Sequence, residues 1–340
     1  MLCATLATGS AAATATSDSI ALLALRGDPA ARSKAAAGGA VLTIVPARGR
    51  DLAVYGVVRT SAAPDRLITW TRAIDQLYQG RYVPALGRFS DPPQLADLDA
   101  LTLDEEDLND LRACRAGDCG VKLSAPEMER VQQAVTVGGA QWRHAIQDAF
   151  RRVVLRRAQD YLAGGLAGSL PYEDHKQAVS PQAEFEEIAA RIGFDALYDE
   201  RVIPHLRAYP AVSGDAVESF LYWSKETLGG GKPIVSVTHV AIFRSRGEYA
   251  PEAVVAARQI FATHYLTGSV SLTAVTSGAD GAPGYLIYIR RSRTDAFDGP
   301  FGKFVRHVVE KRIRGDGPPV LDTLRRKLEG SDPKGVDETD

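Results

Sequence analysis

The sequence is short of the residues and motifs that mark many catalytic, metal-binding and membrane proteins. Three of its 340 residues are cysteine, too few for a zinc site built from two cysteine pairs. No apolar run approaches the roughly 18 residues that a membrane-spanning helix needs. The chain has no Gly-x-Ser-x-Gly or His-Glu-x-x-His motif, and its Gly229-Gly230-Gly231-Lys232 stretch lacks the spacing of a phosphate-binding loop. We therefore expect no transmembrane segment, no metal and no cofactor.

An excess of charge of either sign is also missing. Lys and Arg total 40 against 42 Asp and Glu, which gives a net charge of −2 and a pI of about 6.3. Proteins that bind nucleic acids usually carry a basic excess, so we expect no nucleic-acid partner. Hydrophobic residues make up 45% of the chain and charged residues 24%. That is the composition of a globular protein that can bury a sizeable core.

Two of the three cysteines stand close together. Cys114 and Cys119 flank Arg115-Ala116-Gly117-Asp118. They would form a short-loop disulfide in an exported protein and stay reduced in the cytosol, and metal binding is the third alternative. Residues 1–38 form a low-complexity leader, either disordered or the remnant of a secretory signal that starts upstream. The compartment is accordingly cytoplasmic in the first case and exported or periplasmic in the second.

The apolar pattern divides the rest of the chain into the parts of one domain. Residues 39–91 hold strands at Val41–Val45 and Leu52–Arg59 and a helix over Pro64–Leu77. Helix start signals dominate residues 92–214, which we interpret as a helical insertion. Residues 215–330 return to strand patterns and end in a helix, and residues 331–340 are a charged tail that we expect to be disordered.

The late part of the chain predicts an antiparallel run of strands joined by short loops. Among these strands, Ala253–Leu266 is long and contains no glycine or proline. The run ends in an amphipathic helix, Phe301–Arg314, whose apolar side should pack on the sheet. Phe301, Phe304 and Val308 belong to that side, and Pro318-Pro319 should end the helix. The predicted class is an α+β fold in which a curved antiparallel sheet grips a long C-terminal helix, with a helical insertion between early and late strands.

This order of elements resembles the START-like (SRPBCC) superfamily of helix-grip proteins, which includes lipid-transfer domains, polyketide cyclases and Bet v 1-like proteins. The parts that match cover about half of the chain, and they are Leu52–Arg59, Pro64–Leu77, Glu218–Arg291 and Phe301–Arg314. Three short stretches resemble the sequences of uncharacterised bacterial members of this superfamily, and they are Leu221–Lys225, Val237–His239 and Arg291–Arg293. The resemblance implies a cavity between the sheet and the C-terminal helix, and such a cavity suits a hydrophobic small molecule or lipid.

Five polar side chains near the predicted cavity are candidates for ligand binding. His239 and His264 lie within predicted strands, and Tyr265 follows His264. A neutral imidazole in a cavity can bind a ligand through a hydrogen bond or act as a general base. Arg291 and Arg293 share one face of the last strand, where they would bind an anionic head group or form ion pairs with nearby acids. Each histidine has a structural alternative as well, a hydrogen-bonded residue of the core.

These observations lead to three functional hypotheses. The first is a non-catalytic binding or carrier protein for a hydrophobic small molecule or lipid in the helix-grip cavity. The second is a cyclase- or hydrolase-like enzyme that uses His239 or His264 as acid or base. The third is a partner-binding protein that acts through the helical insertion. A cavity below about 300 Å³ would disfavour the first, a perturbed histidine beside a hydroxyl would favour the second, and an exposed apolar patch on Trp142–Leu162 would favour the third.

Overall fold

The computed structural model describes residue 25 and residues 28–191, 200–211, 218–227, 231–244, 251–278 and 281–334. Most of the predicted leader and of the predicted tail lies outside these residues, as do the middle of the loop before Ala253 and most of the glycine run 229–231. The last part of the leader forms a helix, Pro29–Ala36, whose first turn is capped by the Asp28 carboxylate at the Ala31 amide.

Eight strands form one antiparallel sheet in the order β1-β2-β8-β7-β6-β5-β4-β3. The strands are β1 Val41–Val45, β2 Asp51–Thr60, β3 Ala85–Arg88, β4 Glu218–Glu226, β5 Ile234–Arg244, β6 Ala253–Ala262, β7 Leu266–Thr276 and β8 Gly284–Thr294. The early strand β2 pairs along its whole length with the last strand β8, from Asp51 opposite Arg293 to Thr60 opposite Gly284. The helical insertion therefore separates two parts of a single sheet, which confirms the predicted fold class.

The helices lie on both faces of this sheet. They are α1 Pro29–Ala36, α2 Pro64–Arg72, α3 Ile74–Tyr78, α4 Glu105–Ala113, α5 Ala125–Gly138, α6 Trp142–Gly164, α7 Pro181–Ala189, α8 Val202–Ala208 and α9 Gly302–Glu329. No helix among the described residues is long and apolar enough to cross a membrane.

Strand alternation gives the sheet two apolar faces, and each has its own core. On one face, side chains such as Trp223, Val237 and Phe261 pack with the insertion helices, including Phe150 of α6 and Phe185 of α7. On the other face, a second set of strand side chains packs with α2, α3 and the end of α9, and this set includes Val58, Val240, Ile242, Val255, Val275 and Leu286. The sheet is thus the middle of three layers.

The insertion is tied together at the start of α5 by a buried acid. Ser124 and Glu127 form a capping box, with the Ser124 amide donating to Glu127 Oε2 at 2.8 Å. The same carboxylate accepts two hydrogen bonds from Arg157 of α6, at 2.8 and 2.6 Å. Because both partners are buried, this bidentate pair fixes α5 against α6.

The end of the fold differs from the sequence prediction in two respects. The closing helix α9 continues through Pro318 and Pro319 to Glu329, and its buried side chains are Leu321 and Leu328 rather than those of its first turns. Phe301, Phe304 and Val308 are 75%, 68% and 44% exposed. Two glycines allow α9 to lie close to the sheet on either side of the prolines, because a Cβ at Gly317 would lie 2.7 Å from Leu42 of β1 and one at Gly56 would lie 3.2 Å from Leu321.

The connection between β6 and β7 also differs from the sequence prediction. The long strand predicted over Ala253–Leu266 is wrong, because the chain turns at residues 263–265 and begins a new strand at Leu266. Tyr265 makes the turn with a φ of 59°, a conformation that non-glycine residues adopt only occasionally. The turn is held by tertiary hydrogen bonds, with the Thr263 amide donating to Val235 and the Lys232 amide donating to the Tyr265 hydroxyl at 3.0 Å.

Candidate functional site

The structure places the five predicted ligand-binding residues at three separate positions. Arg293 donates to Asp51 at 2.8 Å and to Glu184 of the insertion at 3.0 Å, and Arg291 lies 3.8 Å from Asp51. The two arginines therefore belong to a network of ion pairs that joins β8, β2 and α7. Such a network holds the insertion against the sheet.

His264 and Tyr265 lie at the β6–β7 turn instead of within a strand. His264 Nε2 is 2.9 Å from Asp107 Oδ1, and both side chains are buried. The Tyr265 ring lies beside His264 and its hydroxyl accepts from the Lys232 amide. These contacts connect the turn to α4 and to the start of β5, far along the strand from His239.

His239, which is itself fully buried, lies at the centre of a polar cluster on the insertion face of the sheet. Its Nδ1 is 2.7 Å from the hydroxyl of Tyr161 on α6, and its Nε2 is 2.5 Å from the hydroxyl of Ser219 at the start of β4. Tyr209, just after α8, places its ring 4.3 Å from the imidazole. Sequence alternation therefore placed His239 on an interior face but did not identify these three partners.

Arg258 completes the cluster, and the sequence analysis missed it. It pairs with His239 across β5 and β6, is 1% exposed, and donates hydrogen bonds to the Tyr161 hydroxyl and to the Leu206 carbonyl. Its guanidinium also lies 4.9 Å from the Tyr161 ring centre and 4.8 Å from that of Phe185. The detectable signal was an arginine in phase with Val254, Ala256 and Ile260, on a strand face that is otherwise apolar.

Among the described residues Arg258 has no carboxylate partner, and its Nε has no hydrogen-bond partner. The carboxylate of Glu186 raises the pKa of Arg258 and so favours its charged form. Glu186 is itself paired with Arg207 at 2.9 Å. Burial lowers the pKa of Arg258 from its usual value. A buried cation without a paired anion is costly, and it creates a positive potential inside the insertion face.

Burial, together with this charge, sets the protonation of the neighbouring side chains. Burial holds the pKa of His239 well below 6.5, and the positive charge of Arg258 and the proximity of His205 lower it further. Burial raises the pKa of Tyr161 even though Arg258 opposes the shift. Near neutral pH the cluster therefore holds a neutral imidazole and a neutral phenol beside one cation.

The hydrogen bonds of the cluster form a chain. The Tyr161 oxygen already accepts a hydrogen bond from Arg258, so we assign the Tyr161 O–H as the donor to His239 Nδ1. The proton of the neutral imidazole is then on Nε2, which donates to the Ser219 hydroxyl. The chain runs from the buried cation to Ser219, an exposed residue. Tyr209, whose ring packs against the imidazole of His239, lines a cavity.

That cavity lies within the insertion and has a volume of about 500 Å³. Most of its lining is apolar or small, with Gln182, Glu186, Arg207 and Tyr209 as the polar exceptions. Gly165 shapes its wall, since its φ is 62° and a Cβ there would lie 2.1 Å from the Tyr209 carbonyl oxygen. Phe185 and Tyr209 line the cavity and also contact the Arg258 cluster, so a single layer of aromatic rings separates the cavity from the buried charge.

The sheet face that carries α9 has a different character. Beside its apolar core it presents a polar row of Thr238, Gln259, Ser269 and Ser292, which lie opposite one another across β5, β6, β7 and β8. Arg290 donates to Ser269 and Ser292 at 3.0 and 3.2 Å, and both amide atoms of Gln259 are buried without a partner among the described residues. This polar surface is unlike the lining of a pocket for a hydrophobic ligand.

Two aspartates and a histidine have the spacing of metal ligands. Asp174, His175 and Asp295 bring ligand atoms within 4.8 Å of one another. The ammonium group of Lys122 contacts both carboxylates, at 3.3 Å from Asp174 and closer to Asp295. The lysine already supplies the positive charge that the two carboxylates need. Elsewhere in the insertion, Cys114 and Cys119 form a disulfide that closes the turn after α4.

Comparison with known proteins adds no functional assignment. No protein-family model matches the chain, and no curated protein matches it.

Proposed function

We propose that this protein binds a small organic anion with an apolar body in the cavity of the helical insertion. The observation that carries the proposal is Arg258, a buried cation without a carboxylate partner among the described residues, one ring layer beneath a cavity of about 500 Å³. Ligand pockets span about 300–1,000 Å³ and combine apolar walls with a few polar groups. The cavity has this size and this mixture.

In this proposal the anionic group of the ligand supplies the charge that Arg258 lacks. A change in the Phe185 rotamer would open the guanidinium to the cavity, because the Phe185 ring lines the cavity and lies over that guanidinium. The apolar body of the ligand would then contact Leu166 and the alanines of the wall. This retains the carrier function expected from the sequence, with its site in the insertion instead of the helix-grip cavity.

The test is a matched set of ligands measured on the intact chain. Isothermal titration calorimetry with a medium-chain carboxylic acid and with the primary alcohol of equal length isolates the contribution of the anion. We expect the acid to bind at least about tenfold more tightly, since a charge-assisted hydrogen bond in a buried site contributes roughly 1.5–3 kcal/mol. Equal affinity for acid and alcohol would refute the proposal without any mutation.

A pair of variants locates the site. Arg258→Met should abolish the preference for the acid, and Arg156→Met, at an exposed arginine of α6 that does not line the cavity, should preserve it. Circular dichroism and thermal unfolding of both variants report whether Arg258→Met still folds. If it does not, Phe185→Ala, which widens the path to the guanidinium, should change the affinity for the acid more than that for the alcohol.

A hydrolase is the second candidate, because an exposed serine hydroxyl lies 2.5 Å from a histidine nitrogen whose other nitrogen contacts a third group. The electrostatics favour binding over catalysis. A general base works best with a pKa near the working pH, whereas burial and Arg258 hold the pKa of His239 well below 6.5. A fluorophosphonate probe decides between the two, since covalent labelling of Ser219 that is lost in His239→Gln would establish the hydrolase.

The partner-binding hypothesis lacks its expected feature. Among the described residues, the exposed large apolar side chains include none from Trp142–Gly164. A helix-grip relationship remains compatible with the architecture, which combines an eight-stranded antiparallel sheet with a long C-terminal helix.

A further inference from the structure

The first half of α9 carries an exposed apolar stripe that no described part of the chain covers. Phe301, Phe304 and Val308 are 75%, 68% and 44% exposed, and their spacing places them within about 60° on the helix surface. Solvent-exposed phenylalanines clustered in this way are unusual on a soluble surface and mark an interaction site. The stripe has no relation to the insertion cavity and is independent of the function proposed above.

The orientation of the stripe follows from how the helix is attached. On the opposite side of α9, Arg306 donates to the Asp51 carbonyl at 3.0 Å and to the Gly49 carbonyl at 2.5 Å, and its guanidinium lies 4.2 Å from the ring of Phe297. These contacts hold the first turns against the β1–β2 loop. The apolar stripe is therefore directed away from the rest of the molecule.

The charge around the stripe is mostly positive. From Phe301 to Asp316 two acids, Glu310 and Asp316, stand against the five cations Lys303, Arg306, Lys311, Arg312 and Arg314. Glu310 is paired with Arg306 at 3.7 Å and with Arg314 at 3.2 Å. Lys303 and Lys311 are exposed and have no ion pair among the described residues. The segment is thus locally basic in a chain whose net charge is −2.

We propose that the first half of α9 binds the surface of an anionic phospholipid bilayer, with Phe301 and Phe304 inserted at the level of the headgroups. A helix that lies in the membrane interface combines protruding apolar side chains on one side with flanking lysines and arginines. Each cation near an anionic surface adds attraction, and the interaction decays over a Debye length. A protruding aromatic stripe with the unpaired Lys311 beside it, and the unpaired Lys303 on the same turns of the helix, fits a lipid surface better than a protein groove, since it offers no recess.

The experiment uses the full chain and vesicles of defined composition. Co-sedimentation with phosphatidylcholine vesicles is compared with co-sedimentation with phosphatidylcholine vesicles that contain phosphatidylglycerol. We expect binding to the anionic vesicles that weakens as salt is raised, and little binding to the neutral ones. The double variant Lys303→Gln/Lys311→Gln should lower the partition coefficient about thirtyfold, from the attraction of two cations.

Single substitutions test the aromatic contribution. Phe304→Ser should reduce binding at least about tenfold, while Val137→Ser, at an 88% exposed valine of α5, should leave it unchanged. Phe304→Trp should shift its fluorescence emission to shorter wavelengths on adding anionic vesicles. Because all these positions are exposed, each variant should keep the thermal unfolding midpoint of the parent.

Three outcomes would overturn the proposal. These are no binding to anionic vesicles at low salt, binding that Phe304→Ser leaves intact, and a dimer in sedimentation velocity that Phe304→Ser dissociates. The last outcome would identify the stripe as an interface between two copies of the chain.

Discussion

Arg258 is a buried residue whose charge affects several of its neighbours. It donates to Tyr161 and to the Leu206 carbonyl, and its charge lowers the pKa of His239. A strand whose apolar and polar side chains alternate regularly can still carry an ionised side chain on its buried face. Here Tyr161 and Phe185 of the insertion helices cover that side chain. The sequence showed the arginine in phase with apolar residues, but the partners that surround it come from elements about 50 to 100 residues away in the chain.

The lowered pKa of His239 makes stability depend on pH. In the unfolded chain this imidazole takes up a proton near pH 6.5, whereas in the folded protein it stays neutral to a much lower pH. The unfolded state therefore binds more protons, and the free energy of unfolding should fall as the pH drops below about 6.5, by up to about 1.4 kcal/mol per unit.

Urea unfolding between about pH 7 and pH 5.5 measures this slope. His239→Gln, which keeps an amide able to contact Tyr161 or Ser219, should remove it. His144→Gln, at an exposed histidine of α6, is the matched control and should leave it in place. Parallel pH profiles for the parent and His239→Gln would show that another group is responsible.

At the scale of elements, the end of α6 positions the cavity wall. Gly165 has a φ of 62°, and a Cβ there would lie 2.1 Å from the Tyr209 carbonyl. The neighbouring Gly164 has a φ of −135° and nothing within 4 Å of its virtual Cβ. A side chain at position 165 would therefore be strained and would clash with Tyr209, whereas one at position 164 would do neither. Only Gly165 is required by the backbone conformation.

We expect Gly165→Ala to lower the free energy of unfolding by about 1–3 kcal/mol, from the strained φ and the contact with Tyr209. Gly164→Ala should change it by less than about 1 kcal/mol, and both can be measured by urea unfolding. The displaced Tyr209 should also weaken ligand binding in Gly165→Ala. Equal stability of the two variants would contradict this account of the wall.

Elements are also where sequence reasoning succeeded and failed for clear reasons. Alternation predicted β1, β2, β4, β5 and β8 because each strand contributes to a buried core. It extended β6 to Leu266 because the turn at residues 263–265 contains neither glycine nor proline and depends on distant hydrogen bonds. It ended α9 at Pro318 because the packing that continues the helix involves Gly317 against Leu42, a contact between remote parts of the chain.

At the scale of the whole molecule, α9 is attached to the sheet mainly by its second half. Leu321 is 4% exposed and contacts Gly56 of β2, and Leu328 packs with the core of α2 and α3. The apolar stripe of the first half contributes nothing to this attachment. The antiparallel run of late strands and the position of the insertion were predictable, but the distribution of packing along α9 was not, because both halves have apolar residues at helical spacing.

This division predicts unequal effects of truncating neighbouring side chains. Leu321→Ala should lower the free energy of unfolding by about 2–4 kcal/mol through lost burial and a cavity. Val320→Ala, one residue earlier and 49% exposed, should cost less than about 1 kcal/mol. Chemical denaturation of both variants checks this. A similar loss in the two would mean that α9 is held by contacts other than those of Leu321.

The pairing of β2 with β8 has a consequence for how the protein is made. Asp51 and Arg293, which meet across these strands, are 242 residues apart in the chain. A ribosome must therefore release almost the entire polypeptide before β2 finds its neighbour, while β4 to β8 can assemble as a meander from nearby segments. We expect amides of β6 and β7 to gain protection before those of β2 in pulse-labelling hydrogen exchange. Until then the nascent β1–β2 hairpin has an unpaired edge, which is the point at which this chain is most exposed to misassembly.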